Sequence, residues 1–320
     1  MELLILVLAL VAGGLLAVQA AANLQLSTAV GGPIAASPLQ LGIAAALLFV
    51  VAAGVGTLSA VTGLGDVPPW QLLGGLASPL YITAGMLLFP RLGALTSVGL
   101  FIAGQLLASL VIDGFGVLGV RREGLTVGAL IGALAVVGGT AAIVRAQRSP
   151  EGGGSTARGA TRDGGAVAGG RFWWVVLGLV AGGGLPVQAA INARLRAELD
   201  APLTAAALSF AVATTVAALV LLILIAARRG TAPRLDRTPA MPWWGWLGGA
   251  AAAVYVTVSL LAIPLIGAAA TVAVTVAGQQ LASAAVDHYG LLRLRRRPVG
   301  TARLLGVLAL LGGAAFIQFS

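Results

Sequence analysis

The sequence predicts an all-α integral membrane fold of ten transmembrane helices, arranged as two inverted-topology five-helix repeats. Three observations carry that prediction. Hydrophobic residues make up 59% of the 320 positions and charged residues only 9%, with a mean hydropathy of +1.01. A water-soluble shell cannot be built from so few charges. The apolar residues come in runs long enough to cross the hydrocarbon layer, which takes about 20 residues of helix at a rise of 1.5 Å each. Finally, the two halves of the chain repeat one another at polar and proline positions.

Helices are expected at 3–27, 34–58, 70–89, 92–117 and 125–145, then at 172–194, 202–227, 243–264, 266–290 and 301–318. The first run starts with Glu2 instead of a basic segment and passes through Gln19 and Asn23, which argues against a cleaved signal peptide. Glycine, with 46 copies, is spread through the apolar runs, where small residues let helix backbones approach closely in lipid. Pro90 and Pro264 are expected to close one helix just before the next begins at Gly93 and Gly267. Residues 146–171 are rich in Gly, Ser and Arg with no apolar period, and read as a flexible linker. The expected organisation is therefore a first repeat over 1–145, a cytoplasmic linker over 146–171 and a second repeat over 172–320.

The duplication is read from matched residues. GGLLAVQAAAN, containing Gln19 and Asn23, matches GGGLPVQAAIN, containing Gln188 and Asn192, at an offset of 169 that also carries Pro33 onto Pro202. From the third helix the offset becomes 174, pairing Trp70 with Trp244, Tyr81 with Tyr255, Thr83 with Thr257, Gln105 with Gln279, Ser109 with Ser283 and Asp113 with Asp287. Matching of apolar residues by chance does not produce shared Gln, Asn, Asp, Pro and Trp at fixed offsets. Five helices per half would send the second half into the membrane from the opposite side.

All 19 basic residues are arginines, giving a net charge of +9. Arg121, Arg122, Arg194 and Arg196 fall on the face that holds the N-terminus, and the remaining fifteen fall on the other. The positive-inside rule then puts both termini outside the cytoplasm and the linker within it. Trp173, Trp174, Trp243, Trp244 and Trp246 start helices on the arginine-rich side, where interfacial rings belong. A nucleic-acid role is not supported, because the arginines sit between apolar stretches.

Polar residues inside the bundle are the candidate site. Gln19 and Asn23 are four residues apart, as are Gln188 and Asn192, so each pair shares one helix face that should turn away from lipid. Such pairs either line a path and bind a solute or tie helices together. Gln105, Ser109 and Asp113 form a stripe repeated as Gln279, Ser283 and Asp287, and the two carboxylates are candidates for proton or cation coupling or, more plainly, for caps or ion pairs with Arg121 or Arg295. Tyr81 and Tyr255 are further candidate ligand donors. Pro186, two residues before Gln188, would free a carbonyl beside that pair, and Ala17 stands at its repeat position. Cysteine is absent and the single histidine, His288, makes no metal site, so neither catalytic nor metal residues are expected. With no lysine there is no phosphate-binding loop, and no cofactor is expected.

On these residues, GG with Q and N in the first helix of each half and GQLLAS with GQQLAS in the fourth, the chain resembles the bacterial five-helix branch of the drug/metabolite transporter superfamily, here fused as a pair. The resemblance implies a secondary-active transporter, an exporter of a small organic metabolite or drug-like solute working by alternating access in the bacterial inner membrane. Small exporters of the superfamily use a glutamate in the first helix, whereas this chain has Gln19 and Gln188 there and no acid. The competing reading is a non-transporting membrane scaffold. Expected partners are a small-molecule solute and membrane lipid, with homodimerisation left open.

Overall fold

The computed structural model describes residues 2–119, 126–146, 164–266 and 268–319. Over those residues the chain forms ten α-helices: α1 (Glu2–Val30), α2 (Pro33–Gly54), α3 (Ala77–Leu92), α4 (Ala94–Phe115), α5 (Val127–Ala146), α6 (Gly164–Leu199), α7 (Pro202–Ala226), α8 (Leu247–Ile266), α9 (Ala268–Tyr289) and α10 (Thr301–Phe319). The protein is an all-α multi-span membrane bundle, and seven helices among the described residues are long and apolar enough to cross a membrane. The apolar faces of α1, α5 and α7 are outward, with Leu4, Val7, Leu134, Leu222 and Ile223 exposed. Such faces suit lipid, where no hydrophobic penalty attaches to them.

Several helix ends differ from the sequence reading, each for a local reason. Helix α3 continues past Pro90 to Leu92, and the reversal is made instead by Gly93 at φ 79, a left-handed conformation that favours glycine. Residues 69–76 and 243–246, read as the starts of helices, are 3-10 segments preceding α3 and α8. A further 3-10 turn at Leu58–Asp66 has no counterpart in the expected helices. Helix α6 starts at Gly164, inside the stretch read as linker, while 147–163 and Arg121 and Arg122 lie outside the described residues. Pro33 and Pro202 each open a helix, where a missing N–H is harmless.

Contacts between the halves follow a reciprocal pattern. Helix α1 packs on α8 and α9, α6 packs on α3 and α4, α2 packs on α7, and α5 packs on α10. The closest approaches are glycines that repeat at the same offsets. A Cβ on Gly13 would run into the Thr275 backbone, and one on Gly182 into that of Phe101. Gly278 abuts the Leu10 carbonyl just as Gly104 abuts that of Leu179. Thus α1 on α9 and α6 on α4 are two copies of one glycine-mediated contact, which brings backbones together without side chains between them.

Two apolar cores flank this seam. One is built mainly from α3, α4, α5 and α10 around Leu88, Phe89, Leu100 and Phe101, and the other from α1, α2, α7 and α8 around Leu26, Leu41, Leu48 and Phe210. Arg91 at the end of α3 lies over the Trp174 ring, 4.3 Å from its centroid. That places a cation and an interfacial ring together at the arginine-rich end.

Candidate functional site

A cavity of about 450 Å³ lies between α4, α6, α8 and α9. Gln105, Ser109 and Asp113 of α4, Gln188 and Asn192 of α6 and Tyr255 of α8 supply its polar lining. The four-residue spacing read from the sequence puts each set on one helix face, and the seam glycines bring the two faces together. Pro186, Val272 and Val276 complete an otherwise apolar wall. This mixture of apolar surface with a few converging polar groups is typical of small-molecule sites.

The amides of the wall are only partly engaged. Ser78 Oγ donates to Gln188 Oε1 at 2.8 Å, and Asn192 Nδ2 donates to Ser209 Oγ at 2.9 Å. Ser109 Oγ donates to the carbonyl of Gln105 at 2.9 Å, the usual back-bond of a helical serine. Gln105 Nε2 and Asn192 Oδ1 are buried and have no protein partner. A buried amide group without a partner costs roughly 1–3 kcal/mol, which a bound solute or water would recover.

The matching residues of the other copy are buried and do not line this cavity. Gln19 is 5% exposed, Asn23 2%, Gln279 2%, Ser283 0% and Asp287 1%. Asn23 Oδ1 is pressed against Gly248, as Asn192 Oδ1 is against Gly74, so the two amides keep equivalent packing while differing in access. Tyr81, the partner of Tyr255, packs against Phe101 with the rings tilted at 48° and their centroids 4.7 Å apart. Of the ten candidate residues, Gln105, Asp113, Gln188, Asn192 and Tyr255 meet at the cavity, whereas Gln19, Asn23, Gln279, Tyr81 and Asp287 do not.

Asp287 is instead the centre of a closed network. Its Oδ1 accepts from the backbone N–H of Ala94 at 2.8 Å, and its Oδ2 accepts from Leu95 N–H at 3.1 Å and from Arg303 Nη2 at 2.8 Å. The carboxylate therefore caps the start of α4 and pairs with α10, where the helix dipole and the guanidinium both favour negative charge. Arg303 Nη1 donates to the carbonyls of Arg297 and Pro298, and Arg297 Nη2 donates to those of Pro90 and Arg91, both at 3.1 Å. Five segments, α3, α4, α9, α10 and the connection between the last two, are thereby tied together at the arginine-rich end. Of the plain readings offered by the sequence, the cap is present, and the ion pair is made with Arg303 in place of Arg295.

Ser78 and Ser209, which hold the amides of the wall, were not singled out in the sequence, nor were Arg303 and Gln40. Arg303 was hidden because its repeat position is Ala129, and a search for shared residues passes over it. Its signal was an arginine set inside an otherwise apolar terminal helix. Gln40, whose repeat position is Ser209, donates to the Gly245 carbonyl at 2.9 Å and accepts from Gly249 N–H at 2.7 Å, fastening α2 to the start of α8.

Comparison with known proteins agrees with this architecture. A solved crystal structure, described only as "Crystal structure of protein", superposes with a TM-score of 0.54 at 20% identity, covering 96% of this chain and 95% of that one, a likeness of fold alone. No curated protein matches the chain. The sequence profile of one family, described as "Putative inner membrane exporter, YdcZ", matches residues 4–142 and again 173–316, so each half of the chain carries it. With the profile spanning nearly all of both halves, the chain belongs to the YdcZ family of the drug/metabolite transporter superfamily.

Proposed function

We propose that the protein is a secondary-active exporter of a small organic solute, built as two inverted five-helix repeats and working by alternating access. The observation that carries this reading is the inequality of the repeats: one polar set lines a cavity of about 450 Å³ while Gln19, Asn23, Gln279, Ser283 and Asp287 of its copy are buried. The open set comes from the C-terminal halves of α4 and α6, and the shut set is sealed near the C-terminal end of α9. Exchange of the two environments would carry a solute from one end of the bundle to the other. Neutral amides suit a zwitterionic or uncharged polar solute, with Asp113 the acid nearest to it.

A ligand-stabilisation and flux screen in liposomes tests the reading. A transported solute should raise the melting midpoint and cross the membrane, and Asn192→Ala should weaken its binding about 2- to 12-fold, the range for one lost hydrogen bond. Neither flux nor stabilisation across a broad metabolite and drug panel would favour the scaffold.

The chain has no cysteine, so single-cysteine labelling gives a direct test of sidedness. Ser109→Cys should react with a membrane-impermeant thiol reagent added outside intact cells, because the arginine distribution puts the cavity end away from the cytoplasm. Ser283→Cys should react at least about 10-fold more slowly from either side, since a minor state populated at 0.1–10% sets its exposure. Equal rates at both positions would remove the alternating-access assignment, and labelling of Ser109→Cys only from the cytoplasm would reverse the orientation.

A further inference from the structure

A second cavity of about 370 Å³ opens at the arginine-rich end, between α1, the α3–α4 reversal and the segment joining α9 to α10. Arg293, Arg295 and Arg297 line it, with Gln25 on its wall and Phe89 and Leu294 as apolar floor. The side chains of Arg293 and Arg295 are exposed and have no hydrogen bond or ion pair among the described residues. Arg297 holds Pro90 and Arg91 through Nη2 alone, so its charge is not neutralised by them. Asp287 also borders the cavity, but both of its oxygens are taken up by Ala94, Leu95 and Arg303.

Three arginines thus line one small cavity. Burial pushes the Arg297 guanidinium below its ordinary value, Asp287 opposes that, and Arg303 and Arg295 push the same way as burial. The backbone holds the arrangement, with Leu292 at φ 55 and Arg293 at φ 59 in left-handed conformations that side chains other than glycine rarely adopt. Such backbone persists where the surroundings over-determine it, and it collects at sites of function.

We propose that this cavity binds a phosphate-bearing anion between Arg293, Arg295 and Arg297, supplied as the headgroup of an anionic phospholipid or as free phosphate. Guanidinium donors in a fork suit phosphate oxygens, and a basic pocket between helices at the membrane surface is placed to meet a headgroup. The bound anion would brace the segment that also holds Asp287 and the α3–α4 reversal. The site is separate from the solute cavity, and its test does not depend on transport.

The purified, delipidated full chain is titrated in neutral detergent with phosphatidylglycerol, with phosphatidylcholine and with inorganic phosphate, following the melting midpoint and, by native mass spectrometry, the number of lipids bound. Phosphatidylglycerol or phosphate should stabilise the protein, and phosphatidylcholine should do so less. The variant Arg293→Gln/Arg295→Gln should need about 30-fold more of the anion, about 5-fold for each arginine. Its midpoint without anion should be unchanged, because neither side chain holds the fold together; the single variant Arg295→Gln provides the same reading if it is not. Arg228→Gln/Arg229→Gln, exposed arginines at the same end, should bind as the natural protein does. Stabilisation by phosphatidylglycerol without phosphate assigns a lipid site, and stabilisation by phosphate assigns a soluble anion. No stabilisation by either, or equal losses in the two double variants, overturns the proposal.

Discussion

Replacing Asp287 by alanine is expected to destabilise the protein by about 3–5 kcal/mol, the cost of stranding a buried charge without its partner. Arg303 is 6% exposed and its Nε already lacks a partner, so the guanidinium would keep only the carbonyls of Arg297 and Pro298. The N–H groups of Ala94 and Leu95 would also lose their acceptor at the start of α4. Reversible unfolding of purified Asp287→Ala, Arg303→Leu and the double variant measures this directly. The double variant should lose less than the sum of the single changes, since it leaves no stranded charge. Additive losses, or a loss below about 1 kcal/mol for Asp287→Ala, would show an ion pair of the weak, solvent-screened kind. If this network also closes the arginine-rich end, Arg303→Leu should speed the labelling of Ser283→Cys in the same background, because the shut copy would open more often.

Gly104→Val and Gly278→Val should each cost at least about 3 kcal/mol, the upper range for overpacking, because the obstructing atoms are backbone and cannot rotate away. At Gly104 they belong to Leu179 and Gly183, and at Gly278 to Leu10 and Gly14. The outcome should be loss of folded protein in membranes, read as the fraction that elutes as a single species after extraction. Gly138 provides the contrast, since nothing lies within 4 Å of a Cβ placed there, whereas its neighbour Gly139 would meet the Gly306 carbonyl at 2.6 Å. Gly138→Ala should therefore be neutral or stabilise by up to about 1 kcal/mol through the helix interior, while Gly139→Ala destabilises. Similar effects at the two adjacent positions would mean that α5 and α10 do not pack through these glycines.

The membrane class and the duplication were legible in the sequence because each depends on residues read without their neighbours. Apolar runs report their own preference for lipid, and shared Gln, Asn and Pro at offsets of 169 and 174 report common descent of the halves. The inward polar faces were legible as well, since the i,i+4 spacing of Gln188 and Asn192 and of Gln105 and Ser109 fixes one side of a helix. Helix ends were read less well: Pro90 suggested a stop, but a proline near the last turn is tolerated, and Gly93 at φ 79 makes the reversal.

Only the tertiary structure decided which copy of the polar set is open. Two copies of one sequence pattern carry the same local instructions, so Gln19 and Gln188 look alike until their surroundings are known. The two copies also differ at residues that have diverged and act between elements. Arg303 reaches Asp287 from the next helix, whereas the corresponding place in the first half is Ala129. The glycine contacts were equally beyond the sequence, since 46 glycines read alike but only those facing another backbone, such as Gly104 and Gly278, set the distance between helices. A single chain segment encodes its own hydropathy and period. Burial of a charge or closure of a cavity belongs to the pair of surfaces that meet, and becomes visible only when both are in place.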